Sequence, residues 1–213
     1  MSNRRPQTQQ PTAAQVILAS ASLPRRDLLA QLAIPFTVMP ADIEEHPLRH
    51  ETPRTYVLRV AKDKAYDIAQ RFPDAVVLGA DTAVIIDQQI LGKPTGDEDA
   101  KRMLSQLSGR LHQVITGLAC LRYRRRFCRQ VSVCTTVRFR ELSAAEIEHY
   151  VATHKPFDKA GAYAIQGQAA TFVDKLDGCY TNVVGLPLSH TAELLRVAGL
   201  VVTLPERSAK NAW

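Results

Sequence analysis

The sequence predicts an α/β fold in which a mixed, twisted sheet is flanked by helices, with a ligand cleft between two lobes. Three observations lead to this prediction. Short apolar runs typical of buried strands are interspersed with stretches whose apolar residues recur at helical spacing. Strands occur both singly and in hairpins, which favours a mixed sheet over a purely parallel one. The 213 residues, 46% hydrophobic and 23% charged, suffice for one domain with a sizeable core.

The first part of the chain is predicted to contain three strands and two helices. Residues 16–19 form a short strand, followed by a helix with Pro24 in its first turn, where proline is tolerated. Residues 36–39 form a second strand, and a long helix runs from about 52 to 72. Residues 75–79 are uniformly apolar and form a buried strand. A hairpin turn is then expected at Asp87, Gln88 and Gln89.

The second part continues the alternation. A helix opens with three acidic residues at 97–99 and closes at Ser108-Gly109, since acids suit the first turn and glycine the end. A long hairpin follows, and Ser143 with Glu146 forms a capping box for the next helix. We expect two short strands and a final helix from Ser189 to Ala198 to complete the fold.

One cluster of arginines accounts for much of the net charge of +6. Alternating apolar residues flank the segment YRRRFCR, so we predict the solvated tip of the long hairpin. Contact with nucleic acid through this tip is the alternative. The arginines concerned are Arg122, Arg124, Arg125, Arg126 and Arg129.

Composition also bears on location. No apolar stretch approaches the roughly 20 residues that a membrane helix needs, and the N-terminus lacks the apolar segment of a secretory signal. We therefore expect a cytoplasmic protein without a membrane partner. Residues 1–15 are expected to be a disordered tail, with a transit peptide as the alternative, and 205–213 a C-terminal tail around a single domain at 16–204. The cysteines show neither zinc-site nor disulfide spacing.

Charged residues stand where α/β proteins bind ligands. Asp81 follows the strand at 75–79, and a carboxylate there can hold a divalent metal ion or take a proton from water. A turn or capping role is the alternative. Lys64 falls in an apolar helix stripe, so it must either reach a partner or a wet cleft, or bend to the surface. Glu45 could add a metal-binding carboxylate, or belong to a solvated loop.

The orientation of Lys93 depends on the register of its hairpin. A strict two-residue turn at Gln88-Gln89 would put it on the side of Thr82. A three-residue loop, or a bulge at Gly92, would bring it round to Asp81. Either geometry leaves Lys93 near the end of the strand.

Two further segments are suited to a nucleotide. Ser20, Ser22 and Arg25 lie where the first strand meets the first helix, a place where free backbone N–H groups and the helix dipole favour an anion. Plain N-capping by Ser22, with surface arginines, is the alternative. Residues 158–167, DKAGAYAIQG, combine glycines, a charged pair and an amide, a composition suited to close approach to a ligand and to reading a base edge.

Together these segments resemble the Maf family of nucleoside triphosphate pyrophosphatases. The likeness runs from Val16 to about Leu200. It is carried by LASAS, ADIEE, AKDKA, LGADTAVI, LGKP, LSGRLHQVITG, FRELSAAEIEHYV, DKAGAYAIQG and NVVGLPL. The resemblance implies a fold similar to the inosine triphosphatase-like α/β enzymes and a homodimer. It also implies cleavage between the α and β phosphates of a nucleoside triphosphate with a divalent cation, Mg²⁺ or Mn²⁺.

The resemblance also implies roles for individual residues. Asp81 would be the general base or a metal-linked carboxylate, Glu45 would help bind the metal, and Lys93 would hold the phosphates during cleavage. Thr82 and Gln166 would bear on base choice. The Asp81-Thr82 pair and the DKAGAYAIQG segment resemble the branch that prefers dTTP and UTP, and the branch that prefers 7-methyl-GTP is the alternative. The phosphate channel would be lined by Ser20, Ser22, Arg25, Lys64 and Lys159.

One departure from the family pattern lies beside Ser22. The dTTP/UTP-preferring branch usually has Ser-Pro-Arg-Arg, whereas here Leu23 and Pro24 precede Arg25 and Arg26. Without a gap in the alignment, Pro24 replaces the first arginine and Arg25 matches the second. With a gap, both arginines are retained and displaced by one residue.

A role without catalysis is the alternative to this reading. It would be nucleic-acid binding through the arginine tip, or regulation of cell division, with which the family has also been associated. Because the acids and lysines are intact in every matching segment, we expect catalysis and do not expect nucleic acid as a partner.

Overall fold

Seven strands form one sheet in the part of the chain that the computed structural model describes, residues 15–153 and 157–202. The strands are β1 (Val16–Leu18), β2 (Phe36–Val38), β3 (Val76–Ile86), β4 (Gln89–Leu91), β5 (Leu111–Arg122), β6 (Phe127–Phe139) and β7 (Val173–Asp177). The α-helices are α1 (Leu23–Ala30), α2 (Pro53–Arg71), α3 (Asp97–Leu107), α4 (Ala144–Val151), α5 (Tyr180–Val184) and α6 (Leu188–Val197).

The sheet is mixed, which confirms the predicted α/β class. Its order is β2-β1-β3-β5-β6-β7, with β4 paired to β3 off this path. β1 runs parallel to both β2 and β3, and the remaining pairs are antiparallel.

An opening in the edge of β3 positions the candidate site. β5 pairs with β3 through residues 77–85 and thereby occupies one whole edge. On the other edge, β1 pairs with residues 76–78 and β4 with residues 84–86. Among the described strands none pairs with this edge over residues 79–83, a gap of roughly 20 Å at about 3.3 Å per residue. This unpaired stretch of β3 is where we place the predicted ligand cleft, with the β1 side and the β4 side as its two lobes.

The hydrophobic core divides in the same way. α2 covers one face of the sheet and packs against Val77 on the β1 side and Ile85 on the β4 side. On the opposite face, Leu78 packs with α1 and α6, and Val84 packs with α3 and α4. Because neighbouring side chains of a strand point to opposite faces, Asp81 points toward α2 and its neighbour Thr82 toward the other helices.

Two glycines allow α2 to lie directly against the sheet. A Cβ atom on Gly79 of β3 would collide with the carbonyl oxygen of Ala61, and one on Gly117 of β5 would collide with that of Val57. Both obstacles are helix backbone, which cannot rotate away as a side chain can. These glycines therefore set the separation between the helix that carries Lys64 and the strand that carries Asp81.

Several local predictions are confirmed. Pro24 lies in the first turn of α1, and Ser143 and Glu146 form the capping box of α4. The arginine segment is the tip of the β5–β6 hairpin, where a 3₁₀ turn spans Tyr123–Arg125. Arg124 there pairs with Asp74 at 2.9 Å.

Other predictions are wrong in part. The strand predicted at 75–79 extends to Ile86, so Asp81 lies inside β3 and a turn or capping role does not apply. One strand, β7, stands where two were expected, and α5 was not predicted. Residues 1–14 and 203–213, which hold almost all of both predicted tails, lie outside the described residues. In the described part of the chain, no helix has the length and apolarity needed to cross a membrane.

Candidate active site

Lys64 joins two carboxylates from different parts of the chain. Its Nζ lies 2.9 Å from Asp81 Oδ1 and 2.8 Å from Glu45 Oε2. The Lys64 and Asp81 side chains are 8% and 7% exposed, whereas the Glu45 side chain is 42% exposed. Of the two alternatives for Lys64, the structure shows the one in which it reaches a partner. The cluster is buried at its base and open to solvent through Glu45.

The loop that carries Glu45 is tied to the first turns of α2. Tyr56 donates a hydrogen bond of 3.1 Å from its hydroxyl to the Glu45 carbonyl oxygen. Arg59 donates to the His46 carbonyl at 2.9 Å and forms an ion pair with Glu51 at 2.8 Å. Because α2 also carries Lys64, the same helix orients the lysine and one of its two carboxylates.

The electrostatics of the cluster favour a reactive carboxylate. Burial raises the pKa of Asp81 above its ordinary value, and the nearby charges of Lys64 and Arg25 offset part of that rise. Burial likewise lowers the pKa of Arg25, against the attraction of Asp81 and Glu45. Burial, followed by the same two carboxylates, raises the pKa of Tyr56 to about 12. Asp81 is therefore a stronger base than an exposed aspartate, and Tyr56 stays protonated at neutral pH.

A second group of side chains surrounds Arg25 on the opposite face of β3. Arg25 Nη1 donates to Ser20 Oγ at 3.3 Å, and Nη2 donates to Thr82 Oγ1 at 2.9 Å. Its Nε donates to the Gly185 carbonyl oxygen at 2.9 Å. Gly185 ends α5 with a φ of 116°, and a Cβ there would lie 3.3 Å from both Arg25 Nε and Thr82 Oγ1. Glycine is thus suited to this position on grounds of conformation and of space.

Ser22 and Arg26 behave differently from Arg25. The Ser22 hydroxyl accepts a bond of 3.5 Å from the Arg25 backbone N–H, so it caps α1 as the simpler alternative predicts. Arg26 is exposed and pairs with Asp27 at 2.9 Å. Whichever alignment applies around Pro24, Arg25 is the arginine that lies with Ser20 and Thr82.

Lys93 follows the β3–β4 hairpin, whose turn lies one residue earlier than a turn at Gln88-Gln89. The two turn residues are Asp87 and Gln88, with φ values of 49° and 63°, and Val84 pairs with Leu91. Extending this register would place Lys93 opposite Thr82, but β4 ends at Leu91. Lys93 is exposed, and no hydrogen bond or ion pair joins it to another described residue.

Lys159 lies on a loop bonded to the loop of Lys93. The Gly161 backbone N–H donates to the Gly92 carbonyl oxygen at 3.0 Å. Lys159, two residues before Gly161, pairs with Asp158 at 2.7 Å. Both lysines therefore belong to the lobe on the β4 side of the gap, across from Arg25.

Gln166 is exposed in the same stretch of chain. The preceding residue, Ile165, is buried in the cluster that contains Val84, on the face of the sheet toward which Thr82 points. Within the described residues no hydrogen bond connects Gln166 with Thr82. The structure thus places Thr82 and the segment that carries Gln166 on one side of the sheet.

Sequence reasoning missed three residues at this site. The Thr82 and Thr116 hydroxyl oxygens lie 2.9 Å apart, and Thr116 donates to the Asn182 carbonyl oxygen at 3.0 Å. Asn182 lies in α5, and Gly185, the residue that caps this helix, accepts a hydrogen bond from Arg25 through its carbonyl oxygen. The segments LSGRLHQVITG and NVVGLPL contain these residues, but their type alone carries no chemical signal.

The cluster contains two carboxylates, the ligand type that a divalent cation shared with a substrate takes from a protein. Glu45 and Asp81 already converge on one positive charge, the Lys64 ammonium. No group of three or more His, Cys, Asp or Glu residues with metal-binding geometry is found among residues 15–153 and 157–202. Mg²⁺ commonly takes one or two carboxylates and completes its shell with water and substrate phosphates. Two carboxylates therefore fit such an ion, whereas a cage made of protein ligands alone is not present in the described residues.

Comparison with known proteins places the chain in a family. The family described as Maf-like protein matches residues 15–198. The chain belongs to the Maf-like family. It is 50% identical over 189 residues to a dTTP/UTP pyrophosphatase of Anaeromyxobacter dehalogenans, which covers 88% of this chain and 95% of that protein. A dTTP/UTP pyrophosphatase of Myxococcus xanthus is 48% identical over 194 residues, covering 91% and 96%.

Solved structures give a weaker likeness. The Ham1 protein of Staphylococcus aureus has a TM-score of 0.43 and 14% identity, covering 59% of this chain and 71% of that one. A HAM1 protein from Coxiella burnetii has a TM-score of 0.41 and 15% identity, covering 74% and 91%. Membership of the Maf-like family depends on the sequence matches and not on these scores.

Proposed function

We propose that this protein is a nucleoside triphosphate pyrophosphatase that hydrolyses dTTP and UTP to the nucleoside monophosphate and pyrophosphate. The observation that carries the proposal is the meeting of Glu45, Lys64 and Asp81 at the gap in β3. It is supported by the 50% identity to a protein named for this reaction. We further propose a homodimer in the cytoplasm, as the family resemblance and the composition imply.

The triphosphate would lie in the gap, between cations contributed by both lobes. Arg25 approaches from the β1 side, and Lys93 and Lys159 belong to the β4 side. The Arg25 guanidinium has five N–H donors, and three are used within the protein. The remaining two, one each on Nη1 and Nη2, suit paired phosphate oxygens. Ser20 and Ser22 would add polar contacts at the start of α1.

Asp81 would act on the attacking water. One Asp81 oxygen takes a proton while the water oxygen forms a bond to the α-phosphorus. The bond from that phosphorus to the oxygen bridging to the β-phosphate breaks, and pyrophosphate leaves with the electron pair. The raised pKa of Asp81 increases its basicity for this step. Lys64 keeps the carboxylate in place and compensates its charge between turnovers.

Glu45 and Asp81 would hold the divalent cation, Mg²⁺ or Mn²⁺, which neutralises phosphate charge when bound. Asp81 would then be either the general base or a metal-linked carboxylate. Thr82 and Gln166 would bear on base choice, since Thr82 and the segment that carries Gln166 lie on the face of the sheet opposite α2.

The proposal is tested by the fate of a labelled oxygen. Purified protein is supplied with Mg²⁺ or Mn²⁺ and, in turn, dTTP, UTP, dCTP and 7-methyl-GTP in ¹⁸O-water. The expected products are monophosphate and pyrophosphate from dTTP and UTP, with the label in the monophosphate, because water attacks the α-phosphorus. Label in pyrophosphate, release of single phosphates, or no turnover of dTTP and UTP with either metal would overturn it.

Two neighbouring glutamates give a matched pair of variants. Glu45→Gln removes a carboxylate of the cluster, whereas Glu44→Gln changes an exposed acid in the same loop. We expect Glu45→Gln to reduce kcat/KM at least tenfold and to raise the metal concentration needed for half-maximal rate. Glu44→Gln should match the wild type in both measurements.

A further inference from the structure

A chain of hydrogen bonds supports Arg25 from inside the sheet. Arg25 Nη2 lies 2.9 Å from Thr82 Oγ1, and that oxygen lies 2.9 Å from Thr116 Oγ1. Thr116 Oγ1 in turn lies 3.0 Å from the Asn182 carbonyl oxygen. The chain thus crosses from α1 through β3 and β5 to α5.

The two ends of this chain determine the direction of every bond in it. A guanidinium can only donate, and a carbonyl oxygen can only accept. The single hydroxyl hydrogen of Thr116 therefore points to Asn182, and Thr116 must accept from Thr82. Thr82 donates its only hydroxyl hydrogen to Thr116, so its oxygen accepts from Arg25 through a lone pair. Were Thr82 to donate toward Arg25 instead, two hydrogens would face each other.

We propose that Thr116 is a positioning residue of the nucleotide site, which acts through Thr82 to aim the Arg25 guanidinium at the phosphates. Thr116 is 0% exposed, so it does not touch the substrate. The inference rests on the proposed function in one respect, that Arg25 faces the triphosphate. The direction of the hydrogen bonds holds independently of any substrate.

Three directions of support make the position of Arg25 well defined. Ser20 accepts from Nη1, Thr82 from Nη2 and Gly185 from Nε, and these acceptors come from separate parts of the chain. Two of the three acceptors, Ser20 and Thr82, are hydroxyl oxygens, and a hydroxyl can rotate away unless a second partner holds it. The Ser20 oxygen has such a partner in the backbone N–H of Ser22, which donates to it at 3.3 Å. Thr116 is the second partner of Thr82.

The test removes the Thr116 hydroxyl without changing the shape of the side chain. Thr116→Val is expected to lower kcat/KM for dTTP about tenfold, mostly through KM, since a bond to a charged group is weakened. Thr116→Ser restores the hydroxyl and should return kcat/KM to within about twofold of wild type. Thr191→Val is the control, since Thr191 is equally buried and its hydroxyl bonds to the Pro187 carbonyl, away from Arg25. It should leave KM unchanged.

A double variant separates positioning from general damage. In an Arg25→Ala background, Thr116→Val should change kcat/KM by less than about twofold, because Thr116 then has no guanidinium to aim. Binding of tripolyphosphate, measured by calorimetry, gives a readout without turnover. The affinity for tripolyphosphate should fall about tenfold in Thr116→Val. In the Arg25→Ala background, Thr116→Val should leave this affinity unchanged.

These readings distinguish failure of the inference from failure of the proposed function. If the wild type binds tripolyphosphate but hydrolyses no nucleotide, the proposed function is overturned. The inference about Thr116 is then decided by the effect of Thr116→Val on tripolyphosphate affinity. An active wild type whose KM and tripolyphosphate affinity are unaffected by Thr116→Val overturns the inference. So does an equal effect of Thr116→Val with and without Arg25, which is what loss of general stability would produce.

Discussion

Lys64 Nζ lies 2.9 Å from Asp81 Oδ1, and the two side chains are 8% and 7% exposed. A lysine on the apolar face of α2 and an aspartate inside a central strand would each be costly alone, because an isolated buried charge loses its hydration. Paired, each provides the counter-ion of the other. The pair therefore joins helix and strand at the one stretch of β3 whose edge is open.

Replacing Lys64 by methionine should destabilise the protein, because the buried Asp81 would lose the ammonium group that pairs with it. We expect the free energy of unfolding, measured in urea, to fall by about 3–5 kcal/mol, the usual result of breaking a buried pair from one side. Adding Asp81→Asn should recover part of that loss. Lys62→Met, at an exposed position two residues away, should change stability by less than about 0.5 kcal/mol. Equal effects at both lysines would contradict the pairing.

Gly79→Ala tests the close approach of α2 to the sheet. Its methyl group would meet the Ala61 carbonyl, so the helix must shift, at a cost of about 3 kcal/mol in unfolding free energy. Since Lys64 moves with the helix, dTTP hydrolysis should fall as well. Gly96→Ala is the control, because a Cβ there meets nothing within 4 Å. A fully stable, fully active Gly79→Ala protein would show that the helix position is not critical.

His112 should make stability depend on pH. It is 2% exposed, its Nε2 lies 2.7 Å from the Tyr163 hydroxyl, and burial lowers its pKa from 6.5 to about 4. The unfolded chain therefore binds the proton more tightly, and the stability contributed by the neutral ring is complete above pH 6.5 and lost as pH falls toward 4. Between pH 7 and 5 this loss should reach about 2 kcal/mol.

Urea unfolding of two histidine variants isolates that contribution. His112→Gln should lose less stability than the wild type on going from pH 7 to pH 5. His190→Gln, at an exposed histidine, should retain the wild-type dependence. Identical pH dependence in wild type and His112→Gln would mean that His112 does not remain neutral in the folded protein.

The orientation of the Thr82 hydroxyl also predicts base preference, provided Thr82 contacts the base as proposed. With its hydrogen committed to Thr116, Thr82 can accept from a base N–H but cannot donate. Thymine and uracil have an N–H at N3, whereas cytosine has a lone pair there. Thr116→Val frees that hydrogen, so the preference for dTTP over dCTP should narrow about tenfold. An unchanged kcat/KM ratio for the two nucleotides would argue against this contact.

Much of the fold could be predicted because its elements have strong local signals. The capping box at Ser143 and the proline in the first turn of α1 depend on neighbouring residues, so the sequence contains them directly. α5 has five residues and its cap is Gly185, too short a helix for periodicity to detect. The sequence predicts that β3 ends at residue 79, because the apolar run stops shortly before Asp81. The strand continues because Lys64, which is far from Asp81 in sequence, pairs with it in the folded protein.

The site, too, could be predicted only where its residues have a local signal in the sequence. Lys64 and Asp81 stand out because a charge among apolar residues needs an explanation. Thr116 and Asn182 do not stand out, since a buried threonine or asparagine is ordinary, and their importance comes from the pairing of β3 with β5 and the packing of α5. Such long-range relationships appear only in three dimensions.

The most direct test of the central claim is the rate of pyrophosphate release from dTTP by Asp81→Asn. Asparagine keeps the shape of the side chain but cannot take a proton or carry the charge that Lys64 compensates. We predict a loss of at least a thousandfold in kcat with a folded protein, and wild-type kcat for Asp63→Asn, an aspartate on the surface of α2. Asp81→Asn protein that releases pyrophosphate at close to the wild-type rate would contradict the assignment of this cluster as the active site.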